Sequence, residues 1–228
     1  MQCVNISSVG LTVPICTSQH DKMLKTLVKS EMSQDIYGLK HVHTQNGIAL
    51  DIGAHVGTTA ILLSLMYPKM KIYSFEPSPI NFKYLTYNIA NLNLGDRIHT
   101  YHNAVSMHYE TIEFEHSPDD TTSSKATRLG KTFGELPKNI SHVKSISIMT
   151  ILNKINKLDF MKLDCEGCEV ELVPMILAIY KKNSNCHLAG EFHEWHLRKK
   201  SNVSNTLIQK TRHALCKFHN RFMERLKC

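Results

Sequence analysis

The stretch IALDIGAHVGTT at residues 48–59 decides the fold of this chain. It begins as a short apolar run that carries the acid Asp51, turns between Gly53 and Gly57, and continues into an apolar helical pattern. A buried strand that enters a helix through a glycine turn is typical of a parallel sheet covered by helices. Without a Cβ, both glycines allow a sharp turn and let a ligand approach backbone N–H groups. The stretch therefore predicts a strand, a helix and a ligand-binding turn between them.

The same alternation of short apolar strands and helices continues to residue 195. Because such strands are expected to be buried on both faces, the fold class is α/β, a doubly wound and mostly parallel sheet. The predicted strands are 48–52, 71–75, 98–102, 158–163 and 187–192, and the predicted helices are 58–66, 80–92 and 170–179. We expect three segments: an N-terminal extension at 1–46, a core at 47–195 and a helical tail at 196–228. The extension is predicted to contain a helix at 21–32. The core is predicted to contain an insert at 106–151, with edge strands at 112–115 and 143–148.

The net charge of +7 resides entirely in the tail. Residues 1–195 hold 18 Lys plus Arg against 19 acids, a net charge of −1, and residues 196–228 hold 9 against 1, or +8. Apolar residues at steps of three and four predict an amphipathic helix with a basic face there. Two interpretations stay open: a docked surface helix, or a contact for an anionic partner such as a phosphate-bearing substrate, nucleic acid or a membrane surface. No apolar run approaches the ~20 residues of a transmembrane helix.

The cysteines and the N-terminus point to a cytoplasmic chain. Residues 1–16 show neither a basic segment nor an apolar stretch of signal-peptide length, so export is not expected. Seven cysteines without a framework spacing predict reduced thiols. Cys165 and Cys168 form a C-x-x-C pair, which we interpret as packing residues rather than as a zinc or redox site.

Polar residues follow three successive predicted strands, where one nucleoside would bind. Asp51 suits a cationic amine and would repel a pyrophosphate. Glu76, followed by Pro77, stands where a doubly wound sheet binds the two ribose hydroxyls, and Asn103 with Ala104 could meet an adenine edge. Since the G-x-G-x-x-G pattern of an NAD site is missing, these residues favour S-adenosylmethionine.

The motifs LDIGAHVG at 50–57, FEP at 75–77, Asn103-Ala104 and DFMKLDCEGCE at 159–169 resemble the FkbM-type S-adenosylmethionine-dependent methyltransferases. The last motif is the most specific, and the resemblance covers roughly residues 46–193. It implies a Rossmann-like class I methyltransferase fold and O-methylation of sugar or polyketide hydroxyls. By position in these motifs, the cofactor-binding residues are Asp51, Gly53, Ala54, His55, Gly57, Glu76, Pro77, Asn103, Ala104 and Asp164.

Methyl transfer needs an aligned acceptor hydroxyl and a base for its proton. We expect Asp164 near the methyl group, with His193 or Glu166 as base; the alternative for Glu166 is to cap the following helix. Lys162 is expected to pair with a neighbouring acid. Asp164 and Glu191 would also suit Mg²⁺ as oxygen ligands, which is the metal alternative.

The chain departs from class I methyltransferases after His196, where a helix and a strand hairpin normally complete the sheet. Either the hairpin is missing, or the chain is a shortened form, or a partner chain such as a second copy in a homodimer covers the edge. The leading hypothesis is an O-methyltransferase acting on a small-molecule or carbohydrate acceptor. The alternatives are an RNA ribose methyltransferase and a non-catalytic nucleoside-binding interaction protein.

Overall fold

The computed structural model describes residues 1–22, 24, 29–44, 46–115, 125–127, 140–155, 157–166, 168, 169, 171, 172 and 186–191. The elements in chain order are β1 (Gln2–Ser8), β2 (Leu11–Thr17), α1 (Lys29–Ser33), a 3-10 turn (Leu39–His41), β3 (Ile48–Ile52), α2 (Thr58–Met66), β4 (Lys71–Phe75), α3 (Pro79–Asn91), β5 (Ile98–Tyr101), β6 (Ala104–Ser106), β7 (Thr111–Glu115), β8 (Lys125–Thr127), β9 (Ile140–Ser147), α4 (Ile148–Asn153), β10 (Phe160–Leu163) and β11 (His187–Gly190). The predicted helix at 170–179 and tail at 196–228, and the question of a C-terminal hairpin, lie outside the described residues.

The central sheet has five strands in the order β11-β10-β3-β4-β5, and every neighbouring pair is parallel. The chain runs outward from β3 to β5 and then returns to β10 on the other side of β3. This is the strand order of a doubly wound sheet, and its switch point lies between β3 and β10, where such folds bind ligands. The predicted α/β fold class is confirmed, and so are the bounds of β3, α2 and β4.

Two apolar layers cover the sheet because successive side chains of a strand point to opposite faces. Ala49 and Ile72 pack with the helices α2 and α3 in one core cluster. Leu50, Ile52 and Phe75 belong to a second cluster on the other face. The strands are therefore buried on both sides, as their nearly continuous apolar character predicted.

Several element ends differ from the predictions by one to three residues. Helix α3 begins at Pro79, because the Ser78 hydroxyl accepts the Asn81 N–H at 3.4 Å and proline is favourable in a first helical turn. Ile148 was predicted as a strand residue but starts α4 after Ser147, the N-cap residue of that helix. Differences of one to three residues from the predicted bounds also occur at the ends of β5, β7, β9, β10 and β11.

The segment between β5 and β10 forms a second sheet of order β6-β9-β7-β8. β6 pairs with β9 in parallel, whereas β7 pairs antiparallel with both β8 and β9. The two predicted edge strands of the insert correspond to β7 and β9. The short strand β6 was not predicted, because its three residues follow β5 without a turn-forming glycine or proline.

The N-terminal segment contains an antiparallel hairpin, β1 and β2, that sequence reasoning did not predict. Its alternating buried residues, including Ile6, Val13 and Ile15, join the cluster that contains α2 and α3. Of the helix predicted at 21–32, the structure describes α1 at Lys29–Ser33, and residues 23 and 25–28 lie outside the described residues. The N-terminal segment is therefore packed on the core by strands.

The prediction of reduced cysteines is wrong for four residues. Cys3 and Cys16, directly opposite each other in the hairpin, form a disulfide. Cys165 and Cys168 form a second one, so the C-x-x-C pair is not simply a pair of packing thiols. The cytoplasmic location rested partly on reduced cysteines and stays a prediction. In the part of the chain that the structure describes, no helix has both the length and the apolarity to cross a membrane.

Candidate functional site

The site at the switch point centres on Asp51 of β3 and Lys162 of β10. The two residues are partners in the register of the parallel strands, so their side chains leave the same face of the sheet. The Lys162 Nζ lies 3.6 Å from Asp51 Oδ1 and 3.4 Å from Asp164 Oδ2. It also donates a hydrogen bond of 2.7 Å to the Gly53 carbonyl. The prediction that Lys162 pairs with a neighbouring acid is confirmed.

The charge of this cluster is set by burial and by the ion pairs within it. Burial raises the pKa of Asp51, and the charge of Lys162 opposes that rise. Burial alone would lower the pKa of Lys162, but Asp164 and Asp51 outweigh it and the pKa is raised, so the ammonium stays charged. The Asp51 side chain is 0% exposed, and the Lys162 ammonium is the charged group beside it. Two carboxylates around one ammonium leave the cluster with a formal charge of −1 when both are ionised.

Tyr37 completes the cluster and was missed by sequence reasoning. Its hydroxyl donates to Asp164 Oδ2 at 2.8 Å, and its ring centroid lies 5.2 Å from the Lys162 Nζ. The contact joins residues 127 positions apart. Tyr37 stands in the N-terminal extension, outside every motif, and no pattern in the sequence marks it.

The two glycines of the turn after β3 pack closely against neighbouring protein atoms. The φ of Gly53 is +79°, and a Cβ at this position would lie 1.7 Å from the Asp164 carbonyl oxygen. Its N–H and that of Ala54 both donate to the Phe75 carbonyl at 3.0 Å. Gly57 has a φ of +95°, and its Cβ would lie 2.8 Å from the Leu85 Cδ1. The missing Cβ atoms thus allow β3, β10 and α3 to approach one another.

Glu76 lies at the tip of β4 and joins two loops. Its Oε2 accepts the His55 N–H at 2.8 Å, and its Oε1 accepts the Ser78 N–H at 2.8 Å and the Asn81 amide at 3.5 Å. Burial raises the pKa of Glu76 to about 7, against the lowering effect of these hydrogen bonds. The carboxylate stands where the sequence predicted it, at the strand end beside the glycine turn, and backbone donors fix its orientation.

The next strand end, after β5, carries Asn103 and Ala104. The Asn103 amide donates to the Lys144 carbonyl at 3.0 Å and so ties this end of the sheet to β9. Ala104 is buried and begins β6. Beside them, the His102 ring stacks on Phe82 at 4.8 Å between centroids, and its Nε2 lies 3.1 Å from the Pro77 carbonyl. This aromatic pair at the predicted adenine end was not predicted.

The remaining candidates for acid-base or metal chemistry follow β10 and β11. Glu166 is half-buried with a φ of +56°, and the Glu191 N–H donates to the Leu163 carbonyl at 3.0 Å. His193, predicted as a base, lies outside the described residues. No group of three or more His, Cys, Asp or Glu that could hold a metal ion occurs in the described ranges. The magnesium alternative based on Asp164 and Glu191 has no supporting ligand set there.

Asp164 is the member of the cluster that a ligand can reach. Its side chain is 22% exposed, whereas those of Lys162 and Asp51 are 5% and 0% exposed. An accessible carboxylate can bind a cationic group or accept a proton from a hydroxyl. Asp51 influences such a ligand through its field and through Lys162.

A protein-family model and a curated relative both match parts of this chain. The family model described as Methyltransferase FkbM domain matches residues 51–221. Over 67 residues the chain is 35% identical to the ribosomal RNA small subunit methyltransferase G of Campylobacter hominis. That match covers 29% of this chain and 37% of the relative, so it spans about a third of the curated relative's length.

Two solved structures are similar over most of the chain. The methyltransferase FkbM of Methylobacillus flagellatus KT is 14% identical with a TM-score of 0.46, over 89% of this chain and 49% of that one. The precorrin-6y C5,15-methyltransferase of Geobacter metallireducens is 12% identical with a TM-score of 0.47, over 90% and 76% of the two chains.

Proposed function

Because the chain belongs to the methyltransferase FkbM domain family, we propose that it transfers a methyl group from S-adenosylmethionine to a hydroxyl of a sugar-like or other small-molecule acceptor. The observation that carries this proposal is the cluster of Asp51, Lys162 and Asp164 at the switch point of the sheet. Its two carboxylates suit a donor that carries an ammonium and a sulfonium group. Glu76 lies on the neighbouring strand tip, where nucleosides are bound in doubly wound folds.

The described residues fit this donor in their chemistry. Asp164 would receive the ammonium of the amino-acid end, because it is the exposed carboxylate of the cluster. Asp51 is fully buried behind Asp164 and Lys162, so it would act on the donor through its electric field and not by direct contact. Glu76 would face the ribose hydroxyls, and the His102 ring would border the base.

The reaction forms a bond between the acceptor oxygen and the methyl carbon while the bond from that carbon to sulfur breaks. S-adenosylmethionine supplies the methyl group on a positively charged sulfur, and this charge is lost in the product. The acceptor proton must pass to a protein group or to water. Glu166 follows β10 closely enough to take that role, and His193 stays a proposal for the same step.

An RNA ribose hydroxyl is the second candidate acceptor. The excess of 9 basic over 1 acidic residues in 196–228 favours a polyanionic partner. The similarity over 67 residues to a protein whose name includes ribosomal RNA points in the same direction. The small-molecule hydroxyl leads because the specific motifs at 50–57 and 159–169 resemble those of the FkbM family.

Isothermal titration of the purified chain with S-adenosylmethionine tests the donor. We expect micromolar binding, no binding of NAD, and a loss of at least tenfold in Glu76→Ala, about 1.4 kcal/mol. Asp96→Ala is the matched control, since it removes an exposed carboxylate beyond α3. The absence of heat with a folded wild-type chain would contradict the proposal, and equal losses in both variants would contradict the role of Glu76.

A further inference from the structure

Tyr37 connects the N-terminal segment to the candidate site. Its hydroxyl donates to Asp164 Oδ2 at 2.8 Å, and its ring covers the Lys162 ammonium at 5.2 Å from the ring centroid. The side chain is 6% exposed, so the hydroxyl is directed inward. Tyr37 precedes residue 51, where the family match begins, so the match assigns it no role.

The backbone around Tyr37 is held from two sides. The Tyr37 carbonyl accepts a hydrogen bond of 2.8 Å from the His187 Nε2, and the His187 ring stacks on Phe160 at 5.5 Å with an angle of 5° between the planes. Two residues further on, the Leu39 carbonyl accepts a 2.7 Å hydrogen bond from the Tyr67 hydroxyl. These contacts fix the segment on β11 and on the end of α2, and they leave the Tyr37 hydroxyl little freedom to move away from Asp164.

Tyr37 and Lys162 both approach the same oxygen of Asp164. Tyr37 donates to Oδ2 at 2.8 Å, and the Lys162 Nζ lies 3.4 Å from it. A carboxylate held at one oxygen by a hydroxyl and an ammonium cannot rotate freely about its Cβ–Cγ bond. The carboxylate is also 22% exposed, so its orientation matters to any ligand that contacts it.

We propose that Tyr37 is a positioning residue of the donor site, whose hydroxyl holds Asp164 in the orientation that binds the amino-acid end of S-adenosylmethionine. The inference rests on the proposed function. It makes the N-terminal segment part of the binding site, although that segment lies outside the matched methyltransferase domain. Tyr37 acts through Asp164 and need not touch the ligand.

Two nucleosides separate this role from a general effect on folding. S-adenosylhomocysteine carries the amino-acid end, and 5′-methylthioadenosine lacks it. In isothermal titrations, Tyr37→Phe should weaken binding of S-adenosylhomocysteine about tenfold, equal to ~1.4 kcal/mol, and leave that of 5′-methylthioadenosine within about twofold. Tyr67→Phe is the matched control, because it removes a buried hydroxyl that bonds the same segment without contacting the cluster. It should lower the melting temperature and leave the ratio of the two affinities unchanged.

Asp164→Ala provides the second test of the same chain of contacts. It should reproduce the selective loss of S-adenosylhomocysteine binding, and adding Tyr37→Phe to it should cause no further loss. If Tyr37→Phe does not fold, an unchanged affinity ratio in Asp164→Ala overturns the inference and a selective loss supports it. If the wild type binds both nucleosides and Tyr37→Phe leaves their ratio unchanged, the inference fails and the proposed function stands. If the folded wild type binds neither nucleoside, both fail.

Discussion

Individual residues of the site combine structural and chemical roles. Gly53 shows this directly, because it packs against the carbonyl of Asp164, the residue whose side chain is the exposed carboxylate of the cluster. Lys162 bonds the Gly53 carbonyl and both carboxylates of the cluster. A change at any of these three residues will therefore affect both the fold and the candidate site.

Gly53→Ala should be strongly destabilising. The new Cβ would lie 1.7 Å from the Asp164 carbonyl oxygen, and a φ of +79° is unfavourable for alanine. Overpacking and backbone strain together predict a loss of about 3 kcal/mol or more in the free energy of unfolding. Gly95→Ala is the control, since nothing lies within 4 Å of its Cβ position. Urea denaturation of both variants checks the prediction, and equal stability would contradict the packing at Gly53.

Glu76 should make the stability of the protein depend on pH. Burial raises its pKa from 4.5 to about 7, so between these values the folded state binds a proton that the unfolded state has released. The stabilisation is complete below pH 4.5 and is lost as the pH rises through about 7. The free energy of unfolding should fall by at most about 3 kcal/mol over this range.

The measurement is urea denaturation between pH 4.5 and 7.5 of the wild type and of Glu76→Gln. The variant has no carboxyl at this position, so the difference between the two pH profiles isolates Glu76 from other titrating groups. Parallel profiles would show that the carboxyl keeps its ordinary pKa in the folded state.

Among the elements, the hairpin of β1 and β2 depends on tertiary contacts. Asn88 of α3 accepts the Cys16 N–H at 2.9 Å, and its amide donates to the Cys16 and Val56 carbonyls at 2.9 Å. A single buried side chain thus holds the hairpin on the helix layer and on the turn after β3. The hairpin in turn leads into the segment that carries Tyr37.

Removal of the hairpin disulfide should destabilise the protein without abolishing its fold. The Cys3–Cys16 bond closes a loop with a sequence separation of 13, for which chain entropy predicts about 3 kcal/mol. The free energy of unfolding of the variant Cys3→Ala/Cys16→Ala should be lower than that of the wild type by about this amount. Because the variant lacks this disulfide, a reducing agent should cause no further loss that arises from this pair. Denaturation of the wild type and the variant, each with and without reductant, tests this, and an unchanged stability of the oxidised variant would contradict it.

At the level of the whole molecule, charge is separated along the chain. Residues 196–228 account for a net charge of +8, and the remainder has −1. Such a separation directs a polyanion towards one segment instead of the whole surface. The salt dependence of RNA binding can therefore test RNA as the acceptor without a measurement of turnover.

Single-stranded RNA should bind the chain at low salt and dissociate as salt rises. The variant Arg198→Gln/Lys199→Gln/Lys200→Gln lowers the net charge from +7 to +4, and it should reduce the slope of log affinity against log salt by at most about 2. The control carries the same charge change on exposed core lysines, as Lys69→Gln, Lys71→Gln and Lys83→Gln. Fluorescence anisotropy with a labelled RNA measures both, and equal slopes in the two variants would argue against a specific role of the tail.

Local patterns in the sequence were sufficient for the framework of the sheet. β3, α2 and β4 have their predicted bounds, because apolar continuity, helical period and a glycine turn are properties of neighbouring residues. The sequence also predicted that the ends of these strands lie together, since the carboxyl ends of parallel strands meet at one edge of the sheet. Asp51, Glu76 and Asp164 could therefore be named as candidate site residues before their contacts were known.

Only the tertiary structure decided which groups meet at that edge. The hydroxyl of Tyr37 reaches Asp164 across 127 residues, and the disulfide of Cys3 and Cys16 depends on a hairpin that packing on α3 stabilises. Only the structure showed that the Asp164 carbonyl oxygen lies where a Cβ at Gly53 would stand. The physical reason is the same in each case: local sequence determines the conformation of a segment, but contacts between distant segments depend on how those segments pack in the folded chain.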